Sequence, residues 1–413
     1  MSWKLLKLGL LGTAGEPRFF PKAAPLREHY DVVIIGGGGH GLACAYYLAR
    51  DHGITKVAVL EQNYLGGGNT GRNTTIVRSN YLTPEGVRFY DTSRRMFRDL
   101  SGELEINLFY SERGHYTLAH SDEAMRTMRW RAEVNRHHGV DSELVDREAV
   151  AAGVPGIDLD CGGQQAVQGA LYHAPGAVVR HDAVAWGYAR AAVERGVEIH
   201  QKTRVTGIRC EGGRVRGVST DRGEISCGAV VSAVAGSTPS VTDMLGLDTP
   251  IEIYPLQACV TEPVKPFLDT IVVSGSLHVY VSQSSRGELV MGAAVDPAVL
   301  HGTRSTFDFV EGLADRLIDL FPFVGRLRVL RQWAGMADLT PDFAPIMGTT
   351  PVQDFYLDAG WGTWGFKATP VAGWTMAATV AAGRNHELIT PFGFERFRDF
   401  ALVGEKGAAS VGH

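Results

Sequence analysis

Residues 31–61 read DVVIIGGGGHGLACAYYLARDHGITKVAVLE, and this stretch decides the fold. Asp31–Ile35 is apolar and β-branched enough for a short buried strand. Gly36–Gly41 forms a glycine turn, Leu42–Arg50 continues as a helix, and Lys56–Leu60 returns as a second strand ending at Glu61. Gly36, Gly38 and Gly41 stand at the spacing of a dinucleotide fingerprint, between a strand and a helix as that motif requires. The first glycine permits the tight turn, the second lets backbone approach a pyrophosphate, and the third lets the helix pack on the strand. The helix N-terminus adds free N–H groups and a positive dipole end, so Gly39 and His40 belong to the same cradle. Glu61 closes the second strand, where its carboxylate can accept hydrogen bonds from a ribose. A glycine turn alone would be structural; strand, turn, helix, strand and terminal acid together predict a bound dinucleotide.

Outward from this unit, Gly66–Gly71 is a flexible loop whose backbone can approach a ligand closely. Residues 80–150 read as mostly helical. His181–Arg195 is an amphipathic helix with Asp182 near its N-terminus. Val197–His200, Val205–Cys210, Val215–Thr220 and Ala229–Ala233 follow as strands, the middle two a hairpin through Glu211-Gly212-Gly213. Residues 250–296 are strand-rich and 303–321 helical. Then Phe355–Ala359 reads as a strand and Pro370–Gly383 as a helix. The alternation predicts an α/β protein of two interleaved parts: a Rossmann-like nucleotide domain from 30–80, 165–249 and 330–390, and a strand-rich substrate domain from 81–164 and 250–329. Residues 1–29 form an N-terminal arm and 391–413 a tail. A nicotinamide enzyme seldom needs nucleotide contacts so late in the chain. The second glycine-rich element at 338–370 is of the kind that closes over a flavin, and it favours FAD.

The 413 residues carry 40 Lys and Arg against 45 Asp and Glu, a formal charge of −5 with mixed signs, which argues against nucleic acid as a partner. No apolar run approaches the ~20 residues of a membrane span. Met1–Gly12 is leucine-rich but lacks the core and cleavage site of a signal peptide. The five cysteines are scattered and lack metal-ligand spacing, so reduced thiols, a cytoplasmic location and no metal site are expected.

Five segments carry a more specific likeness: Asp31–Arg50, Gly68–Tyr81 (GNTGRNTTIVRSNY), Tyr172–Arg190 (YHAPGAVVRHDAVAWGYAR), His278–Gly292 (HVYVSQSSRGELVMG) and Gly360–Pro370 (GWGTWGFKATP). From about residue 30 to 385 the chain resembles the β subunits of heterotetrameric sarcosine oxidases, within the D-amino-acid-oxidase-like flavoproteins. That resemblance implies noncovalent FAD, at which an N-methyl amino acid is oxidised, and FMN attached covalently to a histidine. It implies electrons passing from FAD to FMN to dioxygen, giving hydrogen peroxide. It also implies an α subunit holding NAD and using tetrahydrofolate, with small γ and δ subunits.

The same resemblance gives Arg78 and Lys367 to the substrate carboxylate, a task for which a fixed guanidinium fork is suited. It gives His173 to the FMN link, with His181 the rival. Gly68, Asn69, Thr70, Arg72, Asn73 and Thr74, together with Val205, Gly360, Gly362, Thr363, Gly365 and Lys367, fall to cofactor contacts. His278 and Tyr280 alternate with Val279 and Val281, so both are expected on one strand face lining the substrate cavity. Asp338 and Asp342 flank a turn expected near the flavin's ribityl and phosphate region. Trp364 departs from the glycine usual in the family and would fill or stack in space near the flavin; Trp374 is also unusual. Two other readings follow: an FAD subunit of a proline or secondary-amino-acid dehydrogenase, and a flavin-bearing subunit that has lost catalysis.

Overall fold

The computed structural model describes residues 25–163, 165–295 and 298–405. The opening unit is present as strand His29–Ile35, helix Gly39–His52 and strand Val57–Glu61. The helix starts at Gly39, ahead of its apolar pattern, because the glycine turn itself winds the first turn. The first strand pairs in parallel with Val57–Glu61 on one side and with Gly223–Ser232 on the other. Val32 to Ile35 are all buried, as a central parallel strand demands. Glu198–Gln201 extends the sheet beyond Val57–Glu61. The antiparallel hairpin Val205–Glu211 and Arg214–Thr220 extends the other side, and Phe355–Ala359 joins in parallel with Gly223–Ser232.

Helices Gly39–His52, His181–Glu194 and Gly365–Ala382 share one buried cluster on this sheet. Gly373 lets two of these helices touch: a Cβ there would lie 2.3 Å from the Ala43 Cβ. The last helix begins at Gly365, five residues before its expected start at Pro370. Pro370 supplies no N–H to the Phe366 carbonyl, and the Thr369 hydroxyl donates to that carbonyl instead, at 2.8 Å. The helix therefore runs through the proline.

A second eight-stranded sheet follows the order Val329–Leu339, Glu252–Pro263, Glu288–Val295, Val279–Gln283, Ile271–Ser274, His115–Ala119, Gly169–His173, Glu143–Asp146. Helix Phe307–Leu320 covers part of it through Phe309, Leu313 and Leu317. Here the structure differs from the sequence boundaries. Gly169–His173 and all but the first residue of Val329–Leu339 fall in stretches assigned to the nucleotide domain, yet both pair in this second sheet. Strand partners far along the chain, not local pattern, set that membership. A small third sheet joins Ile76–Val77, Ser111–Glu112 and Ala177–Val178. It carries the segment beginning at Arg78 to the seam between the two large sheets. Of the N-terminal arm, residues 1–24 lie outside the described residues, as do 406–413 of the tail.

Candidate active site

The glycine turn packs as its spacing requires. A Cβ on Gly41 would sit 2.1 Å from the Gly36 carbonyl oxygen, and one on Gly36 would sit 2.3 Å from that of Ala233. The Glu61 carboxylate, at the strand end, accepts from Gly37 N–H at 2.9 Å and from Asn63 N–H at 2.7 Å. The Gly66–Arg72 loop folds over the helix N-terminus, where Thr70 Oγ1 accepts from Gly39 N–H at 2.9 Å. Arg72 donates to the Gly67 and Gly68 carbonyls. Asn73 Oδ1 accepts from Thr75 N–H at 2.7 Å, holding Thr75 at φ 67°. Asn69 grips the strand Val329–Leu339 by both backbone groups of Met336, at 2.6 and 3.0 Å.

A line of partly exposed residues (Gly36, Gly38, His40, Glu61, Gly66–Ile76 and Gly362–Thr363) runs along this seam. Gly360 and Gly362 turn with φ 72° and 52°, and their N–H groups donate to Asp338 Oδ2 and Asp338 O. Backbone N–H groups, small residues and an acid at the strand end are the donor set a dinucleotide needs, so FAD fits here. Val205 does not join this line. It is buried with Leu60 and Ile208 in the core beneath the sheet, although the adjoining Thr203 N–H donates to Glu61 O at 2.9 Å.

His40 is fixed at both ring nitrogens, by Asp358 Oδ1 at 3.0 Å and the Gly365 carbonyl at 2.7 Å. Burial opposes its charge, but Asp358 and these bonds leave its pKa raised. Burial pushes the Asp338 carboxyl up to about 7, its Gly360 hydrogen bond and His40 opposing the rise. Asp338 Oδ1 has no hydrogen-bond partner among the described residues.

Arg78 and Lys367, nearly three hundred residues apart in the chain, are both buried, and the Arg78 charge reaches Lys367. Arg78 Nη1 donates to Asn80 Oδ1 at 2.9 Å and to Asn80 O at 3.2 Å, and its guanidinium lies 4.6 Å from the Tyr81 ring centroid. Lys367 has no carboxylate within ion-pair distance among the described residues. Burial, reinforced by the Arg78 charge, holds its ammonium pKa well below the ordinary lysine value. Sequence reading missed a third cation, Arg131. It is buried on helix Asp122–His137, and its Nε donates to the same Asn80 carbonyl at 2.6 Å. Burial and Arg78 push its pKa down to about 9. Nothing in the sequence separates Arg131 from Arg126, Arg129 and Arg136 on that helix; only packing does. Glu405, from the tail, is buried against Leu82 and Thr83 and is the acid whose charge reaches Arg131.

Other expectations are corrected. His278 has φ 56° and sits in the turn before strand Val279–Gln283, which turns it away from Tyr280. Its charge neighbour is Arg316 on the covering helix, while Tyr280 packs with Ile76 and Val178 and meets Thr74. Trp364 is buried, edge-on to Tyr81 at 5.4 Å. Trp374 packs on His386 at the far side of its helix. Asp342 is clamped by Arg396 through two 2.9 Å contacts, a structural ion pair rather than a cofactor contact.

His173 is fully buried, paired across strands with His115. Its Nδ1 lies 2.7 Å from Asp141 O, and its Nε2 accepts from Ser79 N–H at 3.2 Å. Burial lowers its pKa to about 3. The ring is thus enclosed, with both nitrogens engaged. His181, at the start of its helix, is partly exposed.

Residues 31–379 match the family of FAD dependent oxidoreductases, and the chain belongs to it. It is thus an FAD-dependent oxidoreductase. Among curated relatives, the sarcosine oxidase subunit beta of Arthrobacter sp is 45% identical over 96% of this chain and 98% of its own. That of Rhizobium meliloti is 45% identical over 98% of each. Among solved structures, L-proline dehydrogenase from P. horikoshii superposes with a TM-score of 0.86 at 27% identity, covering 91% of this chain and all of the other.

Proposed function

We propose that this chain oxidises N-methyl amino acids, sarcosine first, at FAD bound along the glycine seam, as the β subunit of a heterotetrameric oxidase. The observation that carries the reading is the burial of both Arg78 and Lys367, with the Arg78 charge acting on Lys367. Two cations enclosed together favour an anionic ligand, and a carboxylate between them lowers the cost of keeping both charged. Asn80 and Tyr81 fix the Arg78 fork, so the carboxylate is oriented rather than merely attracted. FAD, when bound, supplies the acceptor for the hydride equivalent leaving the substrate carbon. The chain's own residues hold the carboxylate, and the buried setting of Arg78 and Lys367 keeps water from it.

The relatives' naming as subunits supports a multi-subunit complex. The α subunit with NAD and tetrahydrofolate, the γ and δ subunits, and dioxygen as final acceptor through FMN rest on the family resemblance. The resemblance gives His173 to the FMN link, and its ring is enclosed in this chain. A second reading, a proline dehydrogenase subunit, is favoured by the superposition with L-proline dehydrogenase. Anaerobic mixing of the native complex with sarcosine or with L-proline separates the two. Faster flavin bleaching by sarcosine supports the proposal; bleaching by proline alone overturns it. Peptide mapping of the denatured complex then shows whether any flavin stays on the His173 or the His181 peptide.

A further inference from the structure

Five of the chain's exposed large apolar side chains fall in two neighbouring segments: Val299, Leu300 and Phe307 in one, Val329 and Leu330 in the other. The segments meet at a cleft of about 420 Å³ lined by Arg72, Arg304, Ser305, Arg331, Gln332 and Trp333. Such clustering is unusual on a monomer surface, where single exposed apolar residues are the norm.

The floor of this surface is an open strand edge. Val329–Leu339 is the outermost strand of its sheet and, among the described residues, pairs only with Glu252–Pro263. Its later half is closed: Gly362 N–H donates to Asp338 O, and the Asn69 side chain takes both backbone groups of Met336. Outward backbone groups recur every second residue in an antiparallel strand, so beyond the buried Ala334 the exposed Gln332 continues that row, and no described strand pairs with it there. Val329 to Gln332 are all exposed. An uncovered edge with aliphatic side chains is a template for another strand.

Charge selects the occupant. Arg304, Arg328 and Arg331 have no ion-pair partner among the described residues. The chain's own first 24 residues are a poor match, since Lys4, Lys7, Arg18 and Lys22 face only Glu16. A second copy would bring arginines against arginines. We infer that the edge at Val329–Trp333 docks an extended acidic segment of a partner subunit, adding it as a strand with its carboxylates on Arg304, Arg328 and Arg331 and its apolar side chains on Val329 and Leu330. The inference rests on the subunit reading proposed above. Because the same strand is held at Met336 by the Asn69 loop, the partner would sit one strand-length from the flavin seam.

The test places a photo-crosslinking amino acid at Leu330 in the tagged chain, isolated from its native host with its subunits. The expected result is a cross-link to an acid-rich peptide of a partner subunit. In parallel, Arg328→Glu with Arg331→Glu should reduce co-purified partner by about tenfold or more, with flavin per chain and melting temperature unchanged. Cross-linking to residues 1–24 or to a second copy, or full assembly of the charge-reversed chain, overturns the docking surface while leaving the subunit reading intact. A chain that purifies active and alone overturns both.

Discussion

Replacing Lys367 by Met separates a substrate-holding role from a structural one, because activity and stability should move in opposite directions. The ammonium is buried, close enough to Arg78 to feel its charge, and has no carboxylate partner among the described residues. If it holds the substrate carboxylate, its removal deletes one charge-assisted hydrogen bond, worth about 1.5–3 kcal/mol. At about 1.4 kcal/mol per decade, kcat/KM for sarcosine falls about tenfold to a hundredfold. The same change removes a charge disfavoured by burial, so thermal stability should hold or rise. The pH dependence carries its own sign. The folded-state pKa lies below the unfolded value of 10.5, so between the two the unfolded chain binds more protons. Native stability therefore gains as pH rises through that window, and the Met variant lacks this gain. Melting curves across alkaline pH and anaerobic flavin-reduction kinetics read both effects. Equal affinity of variant and native protein for sarcosine refutes the carboxylate role, as does an equal loss for a secondary amine without a carboxylate.

Gly41→Ala places a Cβ 2.1 Å from the Gly36 carbonyl oxygen, so the variant should purify with little FAD, read from the flavin-to-protein absorbance ratio. Arg131→Met leaves the Asn80 carbonyl to Arg78 alone and should raise the sarcosine KM about fivefold, roughly 1 kcal/mol, with kcat little changed. Arg396→Met strands a buried carboxylate and should cost about 3–5 kcal/mol in denaturant unfolding. Against burial, Arg396 holds the Asp342 pKa below its ordinary value, so the pair's stabilisation is present above the unfolded carboxylate pKa and lost as pH falls through the folded one. His278→Ala should leave sarcosine kinetics unchanged, since the ring faces Arg316 and not Tyr280.

The nucleotide unit was legible from the residue pattern alone. Residues 31–61 owe their conformation to local causes: β-branched runs, glycines at three fixed positions, and an acid at a strand end. The family-specific segments also marked Arg78 and Lys367, and the fold joins them. Tertiary structure decided what depends on distant partners. Pattern did not show that Gly169–His173 and Val329–Leu339 belong to the second sheet, because strand partners are chosen by the whole fold. A period-two argument put His278 beside Tyr280, but a single positive φ one residue before the strand broke the alternation. Arg131 looks like its helical neighbours until packing buries it against Asn80, and His173 looks available until strand pairing encloses it. Local sequence fixes conformation where the forces are short-ranged; burial and the company of charges are properties of the folded chain.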